Sequence, residues 1–144
     1  MPLRVKRITL WRRELENHAG TLAEALDPLA KAGTDLQVVM GYCYPGDHTR
    51  AALELFPIAN KKSTAAAQSA GLAATGIAAL RVEGDNRAGL GSAITRALAD
   101  AGVNLEFLMA QVIGRKFSAV FGFENDTDAN KATALIKKAG ARKK

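Results

Sequence analysis

The second half of this chain repeats the first at a fixed step of 69 residues. Pairing residues 8–43 with residues 77–112 without gaps gives 36 positions, of which 12 are identical. Ordinary composition would give roughly two or three identities by chance. A repeat of this length is typical of one supersecondary unit present twice, so each half should fold in the same way. We predict two units, residues 1–75 and residues 76–144.

Each unit has the pattern of a strand, a helix, a hairpin, a second helix and a last strand. The segments "RVKRITLWRR" and "GIAALRVEG" are short, contain β-branched residues and alternate in part, which predicts the opening strands. Helical spacing of apolar residues predicts helices in "TLAEALDPLAKAG" and "LGSAITRALADAG", with a bend at Pro28. Hairpins reverse at "PGDHT" and "GRK". Second helices follow, the later one capped by Thr127 or Asp128.

This order of elements predicts an α+β fold of two tandem ferredoxin-like βαββαβ units with antiparallel sheets. The weak strand "LAAT" at residues 72–75 closes the first unit. Only "ARKK" follows Gly140, so we predict that the last strand of the second unit is short or missing. Because a small unit buries little surface alone and an uncovered sheet edge invites pairing, we expect a homodimer or larger oligomer.

One short motif, Asn-x-Ala-Gly, precedes the first helix of both units. Gly20 and Gly89 let the chain turn from strand to helix through a backbone conformation closed to other residues, and they let a ligand approach the bare backbone. The first N–H groups of a helix lack intrahelical acceptors and lie at the positive end of its dipole, which favours a carboxylate. Asn17 and Asn86 add an amide that donates and accepts. The motif suits a ligand with carboxylate and ammonium groups; a turn that only caps a helix has the same pattern.

The two segments "LENHAGTLAEALDPLAKAGTDLQVV" and "VEGDNRAGLGSAITRALADAGVNLEFL" resemble the opening of the ACT domain, a small-molecule-sensing module of amino-acid metabolism. The family pattern is Asp/Asn-x-Pro-Gly-x-Leu, a helix, then Ala-Gly-Ile/Val-Asn-Ile/Leu. Residues 101–105 match the last part fully and residues 32–36 match it nearly so. Ala19 and Ala88 replace the family proline, and Gly91 replaces the leucine that the first unit keeps as Leu22. The resemblance covers nearly the whole chain, as in stand-alone proteins with two ACT domains.

The resemblance implies a binding site at the strand-to-helix loops, since ACT domains hold their ligand, usually an amino acid, against this loop at an interface between units. Carried over, the ligand-binding residues are Asn17, His18, Ala19, Gly20, Thr21, Leu22, Asn86, Arg87, Ala88, Gly89 and Leu90. His18 and Arg87 occupy the variable position of the loop, where a side chain reaches the ligand or points to water. We expect the first unit to be the stronger site because it keeps Leu22.

No set of catalytic residues is recognisable in the sequence. His18 and His48 lie in different loops of the first unit without metal-ligand spacing, and no serine lies in a nucleophile elbow. The segment "GLGSA" lacks the lysine of a phosphate-binding loop. Glu124 and Asp126 are better explained as a helix-capping cluster. We therefore predict no enzyme activity, no metal and no cofactor.

The net charge of +6 raises the alternative of a nucleic-acid partner. Much of the excess is terminal, in Arg4, Lys6 and Arg7 and in residues 142–144, which is typical of solvated ends. A second alternative is an RNA-stacking sheet, for which aromatic residues alternate in one strand of the second unit: Phe117, Phe121 and Phe123. Core packing is the better interpretation of these side chains, because the first unit has only leucines there. We expect no nucleic-acid partner.

The single cysteine, Cys43, excludes an intrachain disulfide and suits a reducing compartment. It lies in the strand-like segment "LQVVMGYCY", where we expect it to be a small buried hydrophobic residue. No apolar stretch approaches the ~18 residues of a membrane span, and the N-terminal segment has no signal-peptide core. We expect a cytoplasmic protein without a membrane partner.

Two functions from different classes fit these observations. The first is a non-catalytic, amino-acid-binding regulatory protein of amino-acid metabolism. The alternative is an ACT-like interaction or assembly module that has no ligand.

Overall fold

The structure is a computed structural model that describes residues 3–141 of the chain. Within this range the chain forms eight strands and four helices. The strands are β1 (Arg4–Ile8), β2 (Trp11–Glu16), β3 (Val38–Tyr44), β4 (Asp47–Phe56), β5 (Ala73–Ala74), β6 (Ala78–Asp85), β7 (Leu105–Ile113) and β8 (Lys116–Phe123). The helices are α1 (Thr21–Lys31), α2 (Lys61–Ser69), α3 (Leu90–Asp100) and α4 (Asp126–Ala141).

Residues Thr9–Gly76 form one compact unit, whose antiparallel sheet has the strand order β3-β4-β2-β5. With α1 between β2 and β3 and α2 between β4 and β5, this is a ferredoxin-like βαββαβ unit. Leu15, Leu53 and Leu55 alternate along the central strands and pack with Leu29 of α1 and Ala67 of α2. The predicted fold class is confirmed for this unit.

Apart from β1, the second unit begins at Ile77. Its antiparallel sheet has the order β1-β6-β8-β7. Five of its six elements follow in chain order as β6, α3, β7, β8 and α4. The sixth place, beside β6, is held by β1, which pairs from Arg4↔Glu83 to Ile8↔Ala79. No strand follows α4 within residues 3–141, as predicted for the end of the second unit. The N-terminal strand therefore takes the place in this sheet that β5 takes in the first.

The structure divides the chain differently from the prediction at its N-terminal end. The sequence pattern placed "RVKRITLWRR" in the first unit as one strand, whereas β1 belongs to the second unit and β2 opens the first. The alternation of polar and apolar residues continues through Thr9 without a Gly or Pro, so no local signal marks the break. The pairing that captures β1 is remote, since Ile8 lies opposite Ala79, 71 positions along the chain.

The phenylalanines of β8 lie in the core of the second unit. Phe117, Phe121 and Phe123 are 5%, 1% and 0% exposed and pack with Ile94 of α3 and Ile136 of α4. The predicted core role is confirmed. Rings buried in this way offer no platform on which an RNA base could stack.

The start of α4 differs in detail from the prediction, whereas the helix predicted across Pro28 is confirmed and its bend stays a prediction. α4 begins at Asp126, and Asn125 Oδ1 accepts a hydrogen bond from Asp128 N–H at 2.8 Å, so Asn125 is the capping residue rather than Thr127 or Asp128. Asparagine offers the same side-chain acceptor as those residues, and its earlier position lets the helix gain part of a turn. α1 continues through Pro28 to Lys31.

The outer strands β3 and β7 expose apolar side chains. On β3 the exposed fraction is 44% for Val39, and on β7 it is 41% for Leu108, 49% for Val112 and 65% for Ile113. β3 pairs only with β4 and β7 only with β8 among the described residues. Neither strand carries a Lys or Pro, the residues that natural proteins place on edges to prevent strand pairing.

Cys43 is exposed, not buried as predicted. It lies near the end of the outer strand β3, which pairs with β4 on one side. Its Sγ lies 3.9 Å from Nδ1 of His48, near the start of β4. The apolar run around Cys43 indicates a strand correctly but does not distinguish an outer strand from a central one.

The basic residues near the N-terminus lie in β1 rather than in a free end. Arg7 forms an ion pair with Asp126 at the start of α4, and an Arg4 guanidinium nitrogen lies 3.8 Å from Oε1 of Glu83. Residues 142–144, the other predicted basic cluster, lie outside the described range. None of the helices within residues 3–141 is long and apolar enough to cross a bilayer.

Candidate functional site

The loop after β2 leaves the first turn of α1 without a capping side chain. Gly20 is the N-cap and has φ 96°, a left-handed conformation that favours glycine. Its carbonyl accepts from Glu24 N–H at 3.0 Å, and the Thr21 hydroxyl donates to the His18 carbonyl at 3.0 Å. The N–H groups of Leu22 and Ala23 have no intrahelical acceptor and lie at the positive end of the dipole.

Asn17 fastens this loop to the start of β4. Its backbone N–H donates to the Thr49 carbonyl at 2.9 Å, and its side-chain Nδ2 donates to the His48 carbonyl at 2.7 Å. The amide nitrogen therefore already has a protein partner. The remaining polar atom of the side chain is the acceptor Oδ1.

His18 lies at the outside of the loop with 59% of its side chain exposed. Its Nε2 is 3.5 Å from Oε2 of Glu16, and its Nδ1 is 3.1 Å from the Ala19 carbonyl. The Glu16 side chain is itself 86% exposed, so this contact is open to water and its energy is small.

A cavity of about 280 Å³ lies between this loop and the strands β3 and β4. We call it the first-unit pocket. Its lining has an apolar part and a polar part, and the residues are Leu15, Leu22, Gly41, Ala51, Ala52, Asn17, His18, Thr21, Tyr42 and Cys43. Four of the six residues predicted in this unit line it, whereas Ala19 and Gly20 do not.

The strand residues of the pocket were not among the predicted site residues. Gly41 is the informative one, because an isolated glycine within a strand often marks a close approach by another group. A Cβ placed on Gly41 would lie 3.7 Å and 3.8 Å from the two methyl carbons of Leu22. The helix residue therefore lies over bare strand backbone. Sequence pattern alone does not reveal this contact, because it depends on how α1 crosses the sheet.

The loop after β6 has the same backbone but different side-chain contacts. Gly89 has φ 82°, and Asn86 N–H donates to the Arg115 carbonyl at 2.8 Å, as Asn17 does to Thr49. Arg87, however, donates to the Ala139 carbonyl of α4 at 2.9 Å. Leu90 is 2% exposed and belongs to the core of the second unit. Asn86 and Ala88 are exposed.

Tyr42, on the pocket wall, also belongs to a polar network on the sheet face opposite the helices. Its hydroxyl donates to Oε2 of Glu54 at 2.7 Å, and the Nε of Arg12 lies 4.0 Å from the same oxygen. Glu54 is 2% exposed, and its Oε1 has no hydrogen-bond partner among the described residues. Burial, and then the hydrogen bond to Glu54, raise the pKa of Tyr42.

The outer part of this network surrounds Tyr44. Its hydroxyl donates to Oε2 of Glu14 at 2.6 Å and accepts from Arg12, while Arg50 lies over its ring at 4.9 Å from the centroid. Arg50 also pairs with Glu14. The hydrogen bonds from Tyr44 and then Arg50 lower the pKa of Glu14.

A second cavity, of about 310 Å³, lies between α3 and α4. Its lining is mostly small and apolar with three charged residues at its margin, and the residues are Ala93, Ala97, Leu135, Ala139, Arg96, Asp100 and Lys138. None of the predicted loop residues lines it. Within residues 3–141, no three His, Cys, Asp or Glu side chains converge as a metal site.

Comparison with known proteins gives matches in structure only. No protein-family model matches the chain, and no curated protein matches it. The crystal structure of protein BT0572 from Bacteroides thetaiotaomicron matches with a TM-score of 0.73 and 18% identity, over 93% of this chain and 89% of that one. The ligand-free regulatory subunit of aspartate kinase from Thermus thermophilus matches with a TM-score of 0.64 and 15% identity, over 96% of this chain and 97% of that one. This chain has the tandem ACT-like fold.

The same ACT-like tandem also matches part of a larger enzyme. Clostridium acetobutylicum aspartate kinase gives a TM-score of 0.62 and 14% identity, over 96% of this chain and 34% of that one. At these identities the likeness concerns the fold. In this ACT-like chain the loops after β2 and β6 hold equivalent places, and the first-unit pocket lies against the loop after β2.

Proposed function

We propose that this protein is a non-catalytic regulatory protein of amino-acid metabolism that binds an amino acid in the first-unit pocket. The observation that carries the proposal is the position of the pocket, which lies against the uncapped first turn of α1. Such a turn attracts a carboxylate through its free N–H groups and its dipole. The regulatory subunits that share the fold support the regulatory part.

In the proposed complex the ligand carboxylate accepts hydrogen bonds from the N–H groups of Leu22 and Ala23. The ligand ammonium donates to Oδ1 of Asn17, since Nδ2 of that side chain is held by the His48 carbonyl. The apolar wall of Leu15 and Ala51 is then left for the ligand side chain. This assignment uses all three chemical parts of an amino acid.

The first unit is proposed as the stronger site. In the second unit Arg87 is engaged by the Ala139 carbonyl, and Leu90 contributes its side chain to the core. Their counterparts, His18 and Thr21, both line the first-unit pocket. The predicted residues Asn86, Ala88 and Gly89 remain candidates for a weaker second site.

The proposal includes a cytoplasmic homodimer without nucleic-acid or membrane partners. Val39, Leu108, Val112 and Ile113 give the outer strands β3 and β7 exposed apolar side chains that suit pairing with a second copy. Sedimentation at tens of micromolar should give a dimer or larger species; a clean monomer contradicts the assembly.

A gel shift with mixed DNA and RNA near physiological salt should give no saturable complex, because nonspecific phosphate contacts weaken steeply with salt.

The ligand test is a thermal-unfolding screen with the twenty amino acids. At 100 times its dissociation constant a ligand stabilises the native state by about 2.7 kcal/mol. Gly20→Val should abolish the shift, because valine cannot readily adopt φ 96° and the strain would distort the uncapped first turn of α1. Gly89→Val is the matched control: it carries equivalent strain in the second unit and should leave the stronger binding intact.

The second candidate function is an assembly module without a ligand. The exposed apolar residues of β3 and β7 favour it specifically, since they serve pairing whether or not the pocket is filled. No thermal shift with any amino acid, together with a stable dimer, would support this candidate over the first.

A further inference from the structure

We infer that the first-unit pocket takes an amino acid with an uncharged side chain, and that Leu22 and Gly41 together set the largest side chain it admits. The inference rests on the proposed function and specifies the ligand class for that site. It draws on two independent observations, the charge of the lining and the contact between the helix and the strand.

The lining of the pocket lacks a partner for a charged ligand side chain. No Lys, Arg, Asp or Glu is among the lining residues. His18 is at the outside of the loop, where Glu16 already lies 3.5 Å from its Nε2. A lysine-like or aspartate-like side chain entering this pocket would lose water without gaining an opposite charge, which opposes binding. An uncharged side chain meets Leu15, Leu22 and Ala51 without that cost.

The Leu22–Gly41 contact sets the size of the pocket. Leu22 is 41% exposed, so its side chain lies over the open strand backbone at Gly41 rather than in the core. Any Cβ at position 41 would project beside the Leu22 methyl groups, at 3.7 Å, into space that is now free. This distance is an ordinary van der Waals contact, so one added methyl group fits the fold while it reduces the space for a ligand.

The second unit provides a natural comparison for this pair. At the step of 69 residues the counterparts of Leu22 and Gly41 are Gly91 and Ala110. Ala110 lies on β7 opposite a core residue of β8. Gly41 lies in the same place on β3, opposite a core residue of β4. Since the second unit forms the same fold with alanine there, glycine at position 41 is not required by the sheet. The glycine at position 41 therefore leaves space for the ligand side chain.

The test measures the dissociation constant of each of the twenty amino acids by calorimetry, for the full-length protein and for Gly41→Ala. We expect the tightest ligand to be uncharged. Gly41→Ala should weaken the largest uncharged ligand by about tenfold or more, as one methyl group does in a close-fitting apolar pocket, and leave alanine and glycine within about twofold. Leu22→Ala should relax the limit and admit larger uncharged side chains.

The control variant is Ala110→Val, which adds bulk at the equivalent strand position of the second unit and should leave these constants unchanged. Circular dichroism spectra and melting temperatures establish that each variant is folded. Tightest binding of lysine, arginine, aspartate or glutamate would overturn the inference while the proposed function stands. Equal weakening of all ligands by Gly41→Ala, or no weakening, would overturn the size limit. Binding of no amino acid at all would overturn both.

Discussion

Tyr42 and Glu54 form a hydrogen bond across two neighbouring strands, with the phenol donating to a carboxylate oxygen at 2.7 Å. Glu54 is nearly fully buried, and its other oxygen has no partner among the described residues. A buried carboxylate with few partners is costly. Tyr42 is therefore important for stability as well as for the pocket wall.

Tyr42→Phe should lower the free energy of unfolding by about 1–3 kcal/mol, since the buried carboxylate loses its donor. Urea denaturation at neutral pH measures the change, and the double variant with Glu54→Gln should recover part of it because the charge is gone. Tyr44→Phe is the control: its carboxylate partner Glu14 is exposed, so the loss should stay below about 1 kcal/mol. Equal losses for the two tyrosines would contradict this account of Glu54.

The same hydrogen bond predicts a loss of stability at alkaline pH. The pKa of Tyr42 in the folded protein is raised above its usual value of 10.0. Because the folded pKa exceeds the unfolded one, the contribution of the neutral phenol is fully present below about pH 10 and is lost as the pH rises through the folded pKa. The stability difference between the wild type and Tyr42→Phe should therefore shrink above about pH 10. A difference that stays constant there would contradict the prediction.

Gly122→Ala should destabilise the second unit, because the added methyl group would collide with the ring of Phe107. A Cβ at this position would lie 2.1 Å from Cε2 of Phe107, so the ring would have to move. We expect a loss of about 1–3 kcal/mol, typical of overpacking, and recovery in the double variant with Phe107→Ala. Gly76→Ala, where no atom lies within 4 Å of the added carbon, should change stability by less than about 0.5 kcal/mol.

Two asparagines should prove to be helix caps. Asn60 Oδ1 accepts from Ser63 N–H at 2.8 Å, and Asn125 Oδ1 accepts from Asp128 N–H at the same distance. Each change to alanine should cost about 1 kcal/mol in chemical denaturation. Thr127→Ala, inside the first turn of α4, should cost much less. A larger loss at Thr127 than at Asn125 would restore the capping residue predicted from sequence.

Removal of residues 1–8 should destabilise the second unit. Leu3 is 4% exposed and belongs to the core of the second unit, and burial of such a side chain contributes about 1.5–3 kcal/mol. Hydrogen exchange should show lost protection in β6, and a synthetic peptide of residues 1–8 should restore it. Lys6→Ala, at an exposed position of the same strand, should leave stability unchanged. Undiminished protection in β6 after the removal would contradict this role of β1.

The sequence was sufficient to predict the fold class because the repeat at Asn17 and Asn86 carries a whole supersecondary unit. The turns at Gly20 and Gly89 were also predictable, because a left-handed backbone conformation favours glycine and needs no contact from elsewhere in the fold. The place of β1 was not predictable, because it depends on a pairing between Ile8 and Ala79 that leaves no local pattern.

The pocket was predictable in part for the same reason. Asn17, His18, Thr21 and Leu22 belong to a contiguous motif and were assigned from it. Gly41 and Tyr42 reach the pocket from another strand, so they require the packing of α1 on the sheet. The burial of Glu54 was also not predictable from the sequence, since a charged residue between two leucines predicts the exposed face of a strand.

The place of β1 also fixes an order of events during translation. Residues 9–76 hold every element of the first unit, so that unit can fold once they have left the ribosome. β1 emerges before the first unit and cannot pair with β6 until the 68 positions that separate Ile8 from Ile77 have been synthesised. Arg4, Lys6 and Arg7 give the waiting strand three positive charges, which discourage it from pairing with a copy of itself on a neighbouring nascent chain. A strand made before the first unit thus takes its place only after that unit is complete.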